Sequence, residues 1–518
     1  MTETVTPSHR HPDGGKVHNL AQLATVAEHL RRDGRTVVLC HGVFDLLHLG
    51  HVRHLEAARR EGDVLMVTIT ADSFVNKGPG RPVFGEHQRA EMLAALAHVD
   101  YVGINYAASA ESVIHAIKPG VYVKGSDYKD SETDVTGKIV SERRAVEDHG
   151  GRVVFTNELV FSSSSLINNY LDVYDPALKD YLAGLRQRDG LAQVRQMLDR
   201  AQGLKVLVVG DAIIDDYQYV NALGKSPKEN MIATLHRDSE QFAGGSIAAA
   251  NHVANFCAEV EVVTVLGRAD SHEQLIRESL LPNVTLTALH RDGAPTTRKC
   301  RFIDNGMRKL FEVYYMDDTP SSGRQEAELV RVIANRAPKY DLVIVTDFGH
   351  GMITAPVIKA LVDNARFLAV NTQTNSANTG FNLVTRYPKA DYVCIDAPEA
   401  KLATGDRYSD IATILSKHLP ARIDCNRITV TMGHEGAATW AKGKKINRVP
   451  AFTKRALDTV GAGDAFLAVT SPLVAVGGPM ELVGFVGNAV GAIKVGIVGH
   501  RRSVGRIELI KFVERLLK

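Results

Sequence analysis

The chain has few cysteines, a single tryptophan and almost no net charge. Its five cysteines are isolated along 518 residues and form no CxxC pair, so the sequence predicts neither a disulfide framework nor a zinc knuckle. This usage favours a reducing, cytoplasmic setting. Sixty-one Lys and Arg residues against 59 Asp and Glu residues give a net charge of +2. Proteins that coat nucleic acids and polybasic membrane anchors need a strong positive field, so we expect neither a nucleic-acid nor a membrane partner.

The sequence also lacks a long hydrophobic run. The longest apolar stretch, 483–498, contains Asn488 and Lys494 and is shorter than the ~20 residues that a bilayer requires. It therefore predicts a buried helix. The N-terminus is polar and has no apolar core typical of a secretory signal, and residues 1–16 are expected to form a disordered tail.

Apolar strand-like runs alternate with amphipathic helical patterns along the whole chain. Alternation of this kind predicts an α/β fold with parallel sheets, and at about 150 residues per domain the length predicts more than one domain. Residues 175–203 carry leucines at helical spacing and no strand signal. The predicted strands are 35–40, 63–69, 205–211, 260–267 and 340–347. The predicted domains are 17–170, a helical linker 171–203, and 204–518.

A pair of histidines follows the first predicted strand. Gly42 permits a tight turn, and His48-Leu49-Gly50-His51 opens a helix. A helix N-terminus attracts anions, and two imidazoles there can donate to charge that develops on a phosphate. This pattern alone is equally compatible with capping or surface histidines, or with a metal site.

The full motif 42–51, GVFDLLHLGH, resembles the GxFDxxHxGH signature of the cytidylyl- and adenylyltransferase superfamily. The resemblance implies a Rossmann-like domain that transfers a nucleotidyl group from ATP, or alternatively CTP, to a phosphate monoester, with Mg²⁺ assisting and pyrophosphate released. It implies catalytic roles for His48, His51 and Lys77. It implies nucleotide binding by Gly42, Phe44, Asp45, Gly50, Arg81, Lys124, Asp127, Ser162, Ser163 and Ser164.

A second candidate site lies in DTVGAGDAF, 458–466. A glycine-rich turn at a helix start can present the N–H groups of Gly461, Ala462 and Gly463 to a phosphoryl group. Asp464 follows at a position from which it could take a proton from an attacking hydroxyl. A plain helix cap explains such a turn, taken alone, about as well.

Residues 204–518 resemble the ribokinase-like (PfkB-type) carbohydrate kinases through VVGDAIIDDY (208–217), PTTRKCRF (295–302), VTMGHEGA (430–437) and the 458–466 turn. The resemblance implies a three-layer α/β/α domain with a small β lid, ATP and Mg²⁺ as cofactors, and a homodimer formed through the lid. It implies that Thr431, Gly433 and Gly436 bind ATP and that Glu399 binds the metal. It implies that the sugar is bound by Asp215, Gly244, Gly245, Asn251 and Arg298.

Both halves resemble the bifunctional ADP-heptose synthases, in reversed order. That resemblance implies phosphorylation of a heptose 7-phosphate-like sugar phosphate at its anomeric hydroxyl, followed by nucleotidyl transfer to the sugar 1-phosphate. The chain departs from the kinases at Asp396, where they carry Asn, and at 371–380, where they carry an Asp-Pro turn. An alternative is therefore an active nucleotidyltransferase with a kinase-like binding or dimerisation module. The remaining histidines, His500 among them, are interpreted as solvated or packed.

Overall fold

The structure of the chain is a computed structural model, and it describes residues 15–75, 82–107, 109–125, 138–156, 176–304, 306–453 and 456–517. The chain divides into two compact units, residues 1–175 and 176–517. Across these described stretches, no helix combines the length and the apolar character needed to cross a bilayer.

The first unit is built on a six-stranded parallel sheet of order β1-β4-β3-β2-β5-β6. Its strands are β1 Val17–His18, β2 Val37–Gly42, β3 Val64–Thr70, β4 Tyr101–Asn105, β5 Val121–Gly125 and β6 Arg152–Thr156. Its helices are Leu20–Arg32, Leu49–Arg59, Glu86–Ala94, Glu111–Ile117 and Lys138–Glu147, with a 3₁₀ turn at Asp72–Phe74. The strand order reverses between β2 and β5, and ligands of such sheets bind outside the carboxyl ends of the strands at that point.

The second unit contains a nine-stranded sheet in which the last two strand pairings are antiparallel and the others are parallel. In order across the sheet, its strands are β11 Val284–Pro295, β10 Glu259–Ala269, β7 Lys205–Gly210, β14 Leu342–Asp347, β15 Leu368–Thr372, β16 Tyr392–Asp396, β17 Arg427–Thr431, β18 Ala437–Ala441 and β19 Asn447–Val449. The expected α/β fold with parallel strands is thus confirmed in both units. The prediction was possible because parallel strands are buried on both faces and therefore have continuous apolar runs.

Helices on both faces of this sheet form its outer layers. The helices Gly323–Arg336 and Ala355–Asn364 share one hydrophobic core with alternate residues of β7 and β14. The helices Ser246–Ala254 and Ala462–Ala475 also contact the sheet but do not belong to that core. The other elements are Pro176–Gln187, Gly190–Gln202, Glu273–Ser279, Ala397–Thr404, Ile411–Thr413 continuing as a π turn Ile414–His418, Met480–Lys494 and Arg506–Leu517, and the 3₁₀ turns Ala337–Lys339, Val384–Arg386 and Gly433–Glu435.

A four-stranded sheet of order β13-β12-β8-β9 forms the predicted small β lid of the second unit. Its strands are β8 Ala212–Lys225, β9 Ile232–Gly245, β12 Arg298–Ile303 and β13 Lys309–Tyr315. A single residue, Asp211, separates β7 of the large sheet from β8 of the lid. Residues at the start of β8 therefore lie where the two sheets of this unit meet.

The described part of the predicted helical linker, from residue 176 onward, forms two helices, Pro176–Gln187 and Gly190–Gln202, which belong to the second unit. Their leucines Leu182, Leu185 and Leu198 are buried. The predicted buried helix in 483–498 is confirmed as Met480–Lys494, most of which is buried. The predicted tail lies outside the described residues except for Gly15 and Lys16.

Candidate functional site

A cavity of about 720 Å³ lies in the second unit and is lined by the 459–464 turn, by lid residues and by the ends of several sheet strands. Cavities of this size accommodate small-molecule ligands and cofactors. The turn and Asp464 line it together with residues from β8, β12, β15 and β16. The fold thus brings together residues that are spread along the sequence from Ile213 to His500.

The glycine-rich turn leads directly into the helix Ala462–Ala475. Gly461 has φ +72°, and a Cβ there would lie 2.4 Å from Cε1 of His500, so the backbone conformation and the lack of space both favour glycine. The Ala462 N–H donates to the Thr459 carbonyl at 3.2 Å, which closes the turn. Gly461, Ala462 and Gly463 all line the cavity at the positive end of the helix dipole.

Asp464 is a buried carboxyl group in the first turn of this helix. Its Oδ1 accepts a hydrogen bond from Nε2 of Gln373 at 2.6 Å. Burial raises the pKa of Asp464 to about 6, even though His500, Lys494 and Lys299 favour the ionised form. A carboxylate with such a pKa can accept a proton near neutral pH.

A buried lysine holds the backbone next to the turn. Nζ of Lys494 donates to the carbonyl of Val460 at 2.7 Å and to that of Gly499 at 2.9 Å, and the Lys494 side chain is fully buried. Through the first of these hydrogen bonds, Lys494 links the end of the helix Met480–Lys494 to Val460, the residue that precedes Gly461.

The lid also supplies charged side chains to the cavity. Asp215 is buried and paired with Arg301 and with Nε2 of His500, the latter at 3.2 Å. Although burial opposes it, these two partners hold the pKa of Asp215 below its ordinary value. Lys299 is the register partner of Asp215 in the β8–β12 pair and also lines the cavity. Gly244 packs against Asp215, since a Cβ there would lie 2.1 Å from Oδ2.

Three residues implied to bind sugar do not line the cavity: Gly244, Arg298 and Asn251. Arg298 pairs with Asp216 at 2.7 Å, and its guanidinium lies 3.9 Å from the ring centroid of Tyr315. Asn251 donates to the Ser279 carbonyl at 2.8 Å and accepts from the N–H of Leu281 at 3.0 Å. Gly245, in contrast, lines the cavity with φ +60°.

Sequence reasoning missed His500, which lines the cavity beside the turn. The side chain is buried, and its Nδ1 is a buried nitrogen without a hydrogen-bond partner within the described residues. A lone histidine 36 residues after Asp464 carries no sequence signal. Gln373, Lys299 and Arg301 were missed as well. The two-residue period of a strand indicates that Lys299 and Arg301 share one face, but it does not indicate that this face meets the cavity.

The residues implied to bind ATP lie on another wall. Thr431 ends β17, and Gly433 and Gly436 occupy the turn before β18 with φ +57° and +95°. A Cβ on Gly436 would lie 2.0 Å from the carbonyl oxygen of Val449, so the backbones approach closely here. Asn488 also lines the cavity and donates to the carbonyls of Val449 and Pro450, both at 3.0 Å.

Two carboxyl groups face the cavity at the start of the helix Ala397–Thr404. Asp396 and Glu399 form a capping box in which each side chain accepts from the other's backbone N–H, and Glu399 also accepts from the N–H of Thr374 at 2.9 Å. Burial, then the charge of Asp396, raises the pKa of Glu399 to about 7. Since Asp caps helices as well as Asn does, the departure at Asp396 preserves the local structure.

Within the described residues, no group of three or more His, Cys, Asp and Glu side chains is arranged to hold a metal. Mg²⁺ in phosphoryl-transfer sites keeps several waters and uses one or two carboxylates together with substrate phosphates. Asp396 and Glu399 are acids whose pKa values are raised by burial, and a nearby cation would relieve the cost of ionising them. This donor set fits Mg²⁺ bound with phosphates.

In the first unit, the motif 42–51 begins at Gly42, the last residue of β2. The rings of His48 and His51 stack with centroids 3.9 Å apart, and His48 precedes the helix Leu49–Arg59, whose first turn contains Gly50. Phe44 has φ +48° and meets His51 edge-on at 5.2 Å. A Cβ on Gly42 would lie 3.1 Å from the Phe44 ring. The motif thus forms one packed cluster at a helix N-terminus, beside the reversal in strand order.

Two further residues of this unit are held by internal contacts. The buried Asp45 accepts from the N–H of Val83 at 2.6 Å. Lys124 lies near the end of β5, adjacent to β2, and pairs with Glu142 at 2.9 Å. Other residues implied by the resemblance lie outside the described residues: Lys77, Arg81, Asp127, Ser162, Ser163 and Ser164.

Comparisons with known families and proteins match the two units separately. A family model described as pfkB family carbohydrate kinase matches residues 204–504, and one described as cytidylyltransferase-like matches residues 39–169. A protein from Syntrophotalea carbinolica named Bifunctional protein HldE is 39% identical over 164 residues, which are 31% of this chain and 32% of that protein.

A protein of the same name from Nitrobacter hamburgensis is 27% identical over 301 residues, 57% of this chain and 60% of its own length. The first relatives are thus matched over about a third of their length. A crystal structure of ribokinase from Thermotoga maritima aligns with a TM-score of 0.47 and 20% identity over 60% of this chain and 99% of that one.

Proposed function

The chain belongs to the pfkB family of carbohydrate kinases and carries a cytidylyltransferase-like domain before the kinase domain; from this premise we propose that the second unit phosphorylates a sugar phosphate with ATP. The observation that carries the proposal is Asp464, a buried carboxyl beside the glycine-rich turn in a cavity of about 720 Å³. A base and an anion-binding turn that face the same space are what hydroxyl-to-phosphate transfer needs.

In the proposed step, the sugar hydroxyl gives its proton to Asp464 while its oxygen bonds to the γ-phosphorus and the bond to ADP breaks. The 461–463 turn and its helix dipole stabilise the charge on the transferred group. Mg²⁺, held near Asp396 and Glu399, supplies neutralisation of the phosphate charge when bound. Thr431, Gly433 and Gly436 border the ATP side.

The lid wall supports a sugar that itself carries a phosphate. Lys299 and Arg301 bring two cationic side chains to this wall, whereas Asp215 is already paired with Arg301 and His500. Arg301 also pairs with Glu312 at 3.2 Å, so the attraction for the phosphate of a sugar phosphate rests on Lys299. We propose a heptose 7-phosphate-like substrate that is phosphorylated at its anomeric hydroxyl.

We propose that the first unit then transfers a nucleotidyl group to the sugar 1-phosphate after another enzyme has removed the second phosphate. His48 and His51 at a helix N-terminus would stabilise charge on the α-phosphate while the sugar phosphate displaces pyrophosphate. ATP is the proposed donor, giving an ADP-heptose-like product. Measuring pyrophosphate release from heptose 1-phosphate with ATP and with CTP tests this choice. Both steps are proposed to take place in the cytoplasm.

Two variants test the division of labour. Asp464→Asn should lower phosphoryl transfer by about 10²- to 10⁴-fold, the usual contribution of a general base, and leave pyrophosphate release intact. His48→Ala should do the reverse. If Asp464→Asn transfers phosphoryl groups at the parent rate, Asp464 is not the base. If the parent phosphorylates no sugar or sugar phosphate, the alternative of a binding or dimerisation module replaces the kinase assignment.

We propose that the chain forms a homodimer through the lid. Apolar side chains on three lid strands are exposed: Leu223, Ile232, Leu235, Phe311, Val313 and Tyr315. Pairing such a surface removes apolar area from water. Analytical ultracentrifugation should show a dimer that Leu235→Lys combined with Phe311→Lys dissociates, whereas Tyr408→Lys, at an exposed residue outside the lid, should not. A parent monomer at micromolar concentration contradicts this proposal.

A further inference from the structure

The segment 371–380, which departs from the heptose-kinase pattern, places an amide directly on Asp464. Nε2 of Gln373 donates to Oδ1 of Asp464 at 2.6 Å, and both residues line the cavity. An ionised carboxylate only accepts hydrogen bonds, so the amide must present its N–H to it. Gln373 thus occupies one of the two oxygens of Asp464 and leaves the other for a substrate hydroxyl.

The backbone at Gln373 is fixed on both sides. Its N–H donates to the Asp347 carbonyl at 2.8 Å, and its carbonyl accepts from Nδ2 of Asn382 at 3.2 Å. The next N–H, that of Thr374, donates to Glu399 at 2.9 Å. Because β15 ends at Thr372, immediately before Gln373, the side chain of Gln373 extends from backbone that these hydrogen bonds hold in place.

We propose that Gln373 is a positioning residue for the kinase reaction, which orients the Asp464 carboxylate and stabilises its ionised form by donating a hydrogen bond to Oδ1. This inference rests on the proposed role of Asp464 as the base. It gives the 371–380 departure a function within the kinase site. Hydrogen bonds to a charged form favour that form, so loss of the amide should make the base harder to ionise.

The charged groups around Asp464 come from several elements, and all of them remain in the variants described next. Burial is the largest influence on this carboxyl. The groups are Asp215 and Lys299 on the lid, Glu399 on the helix Ala397–Thr404, Lys494 on the helix Met480–Lys494, and His500 in the loop after it. A change of only Gln373 therefore reports on its own hydrogen bond.

The test compares Gln373→Met and Gln373→Glu in the full chain. The methionine keeps the size of the side chain and removes the donor, whereas the glutamate keeps the shape and adds a second acid. For Gln373→Met we expect kcat for phosphoryl transfer to fall about tenfold, with little change in KM. The acidic limb of the pH profile should move up by roughly one unit, and further in Gln373→Glu because like charges oppose ionisation.

A matched control is Gln274→Met. Gln274 also donates to a carboxylate, that of Glu278 at 2.8 Å, but on an exposed helix surface. This variant should retain the parent kcat and pH profile. If Gln373→Met and Gln373→Glu also retain both, Gln373 does not position the base and the inference is overturned.

A second readout works without turnover. Infrared titration of ¹³C-aspartate-labelled chain, with Asp464→Asn used to identify the band, follows protonation of the Asp464 carboxyl directly. An upward shift in Gln373→Met supports the link between these residues even if the parent phosphorylates nothing, in which case only the proposed function fails. An active parent whose carboxyl titrates identically in Gln373→Met overturns the inference and leaves the function standing.

Discussion

The burial of Asp464 determines the pH range in which the proposed kinase reaction can proceed. Burial raises its pKa to about 6, and a general base accepts a proton only when it is ionised. Phosphoryl transfer should therefore be low at pH 5, rise about tenfold per pH unit below the pKa, and level off above pH 7.

The control for this prediction is the other reaction of the same chain. Pyrophosphate release is the reaction proposed for the first unit, so its pH dependence should be the same in Asp464→Asn as in the parent. A phosphoryl-transfer rate that stays constant from pH 5 to pH 8 contradicts the assignment of Asp464 as the titrating base.

Arg89 of the first unit is a second residue whose burial leads to a prediction. Its side chain is fully buried and donates to the carbonyls of Phe84 at 3.0 Å, Val43 at 2.5 Å and Thr70 at 2.9 Å. Arg89→Met would leave these acceptors unpaired at about 1–3 kcal/mol each. We expect a loss of several kcal/mol in the free energy of unfolding.

Denaturant unfolding of the first unit, followed in the full chain, measures this loss. Arg60→Met is the matched control, because Arg60 is exposed and pairs with Glu56 on the surface, where an ion pair contributes about 0–1 kcal/mol. Equal stability of the two variants would show that Arg89 does not hold this unit together.

At the residue scale, the sequence predicts site residues that belong to a motif better than site residues that are placed by the register of paired strands. The motif at 458–466 names Asp464 and the turn, which the fold brings to one cavity. The choice of Arg298 depended on a register that the sequence does not show: Lys299 is opposite Asp215, so odd-numbered residues of β12 share its face. Gln373 and His500 reach Asp464 and Asp215 only through the packing of distant elements.

The two buried helices near the end of the chain make close contact at a glycine. A Cβ on Gly487 would lie 2.3 Å from the Phe466 ring, and both residues are buried. Overpacking typically costs about 1–3 kcal/mol. Gly487→Ala should lower the free energy of unfolding of the second unit by this amount, although alanine favours helix.

Gly184→Ala supplies the comparison in another helix of the same unit. A Cβ there has only the end of the Arg188 side chain nearby, at 3.8 Å, so helix propensity should leave stability unchanged or raised by up to about 1 kcal/mol. Calorimetry on both variants decides the matter, and a Gly487→Ala chain as stable as Gly184→Ala refutes the close contact.

At the element scale, apolar runs predicted the strands well because both faces of a parallel sheet are buried. The predicted run 340–347 corresponds to Leu342–Asp347, and 260–267 lies within Glu259–Ala269. The segment 171–203 was harder to interpret. Its helical spacing predicts helices correctly, but an amphipathic pattern does not specify which unit covers its apolar face.

At the scale of the whole molecule, two families of transferase share one chain, and each unit carries its own candidate site. The order of the domains and their families could be predicted from motifs, because glycine-rich turns and the HxGH element keep chemistry and spacing together. The identity of the sugar could not, because the cavity proposed to bind it is lined by side chains from four or more separate elements.

The most direct test of the kinase assignment is a ³¹P NMR time course of the purified chain with Mg²⁺, ATP and heptose 7-phosphate. We predict an anomeric sugar phosphate signal that grows as ADP forms and is absent with Asp464→Asn. ADP formation without a new sugar phosphate, or the same signal from Asp464→Asn, would contradict the account of the second unit as a sugar-phosphate kinase with Asp464 as its base.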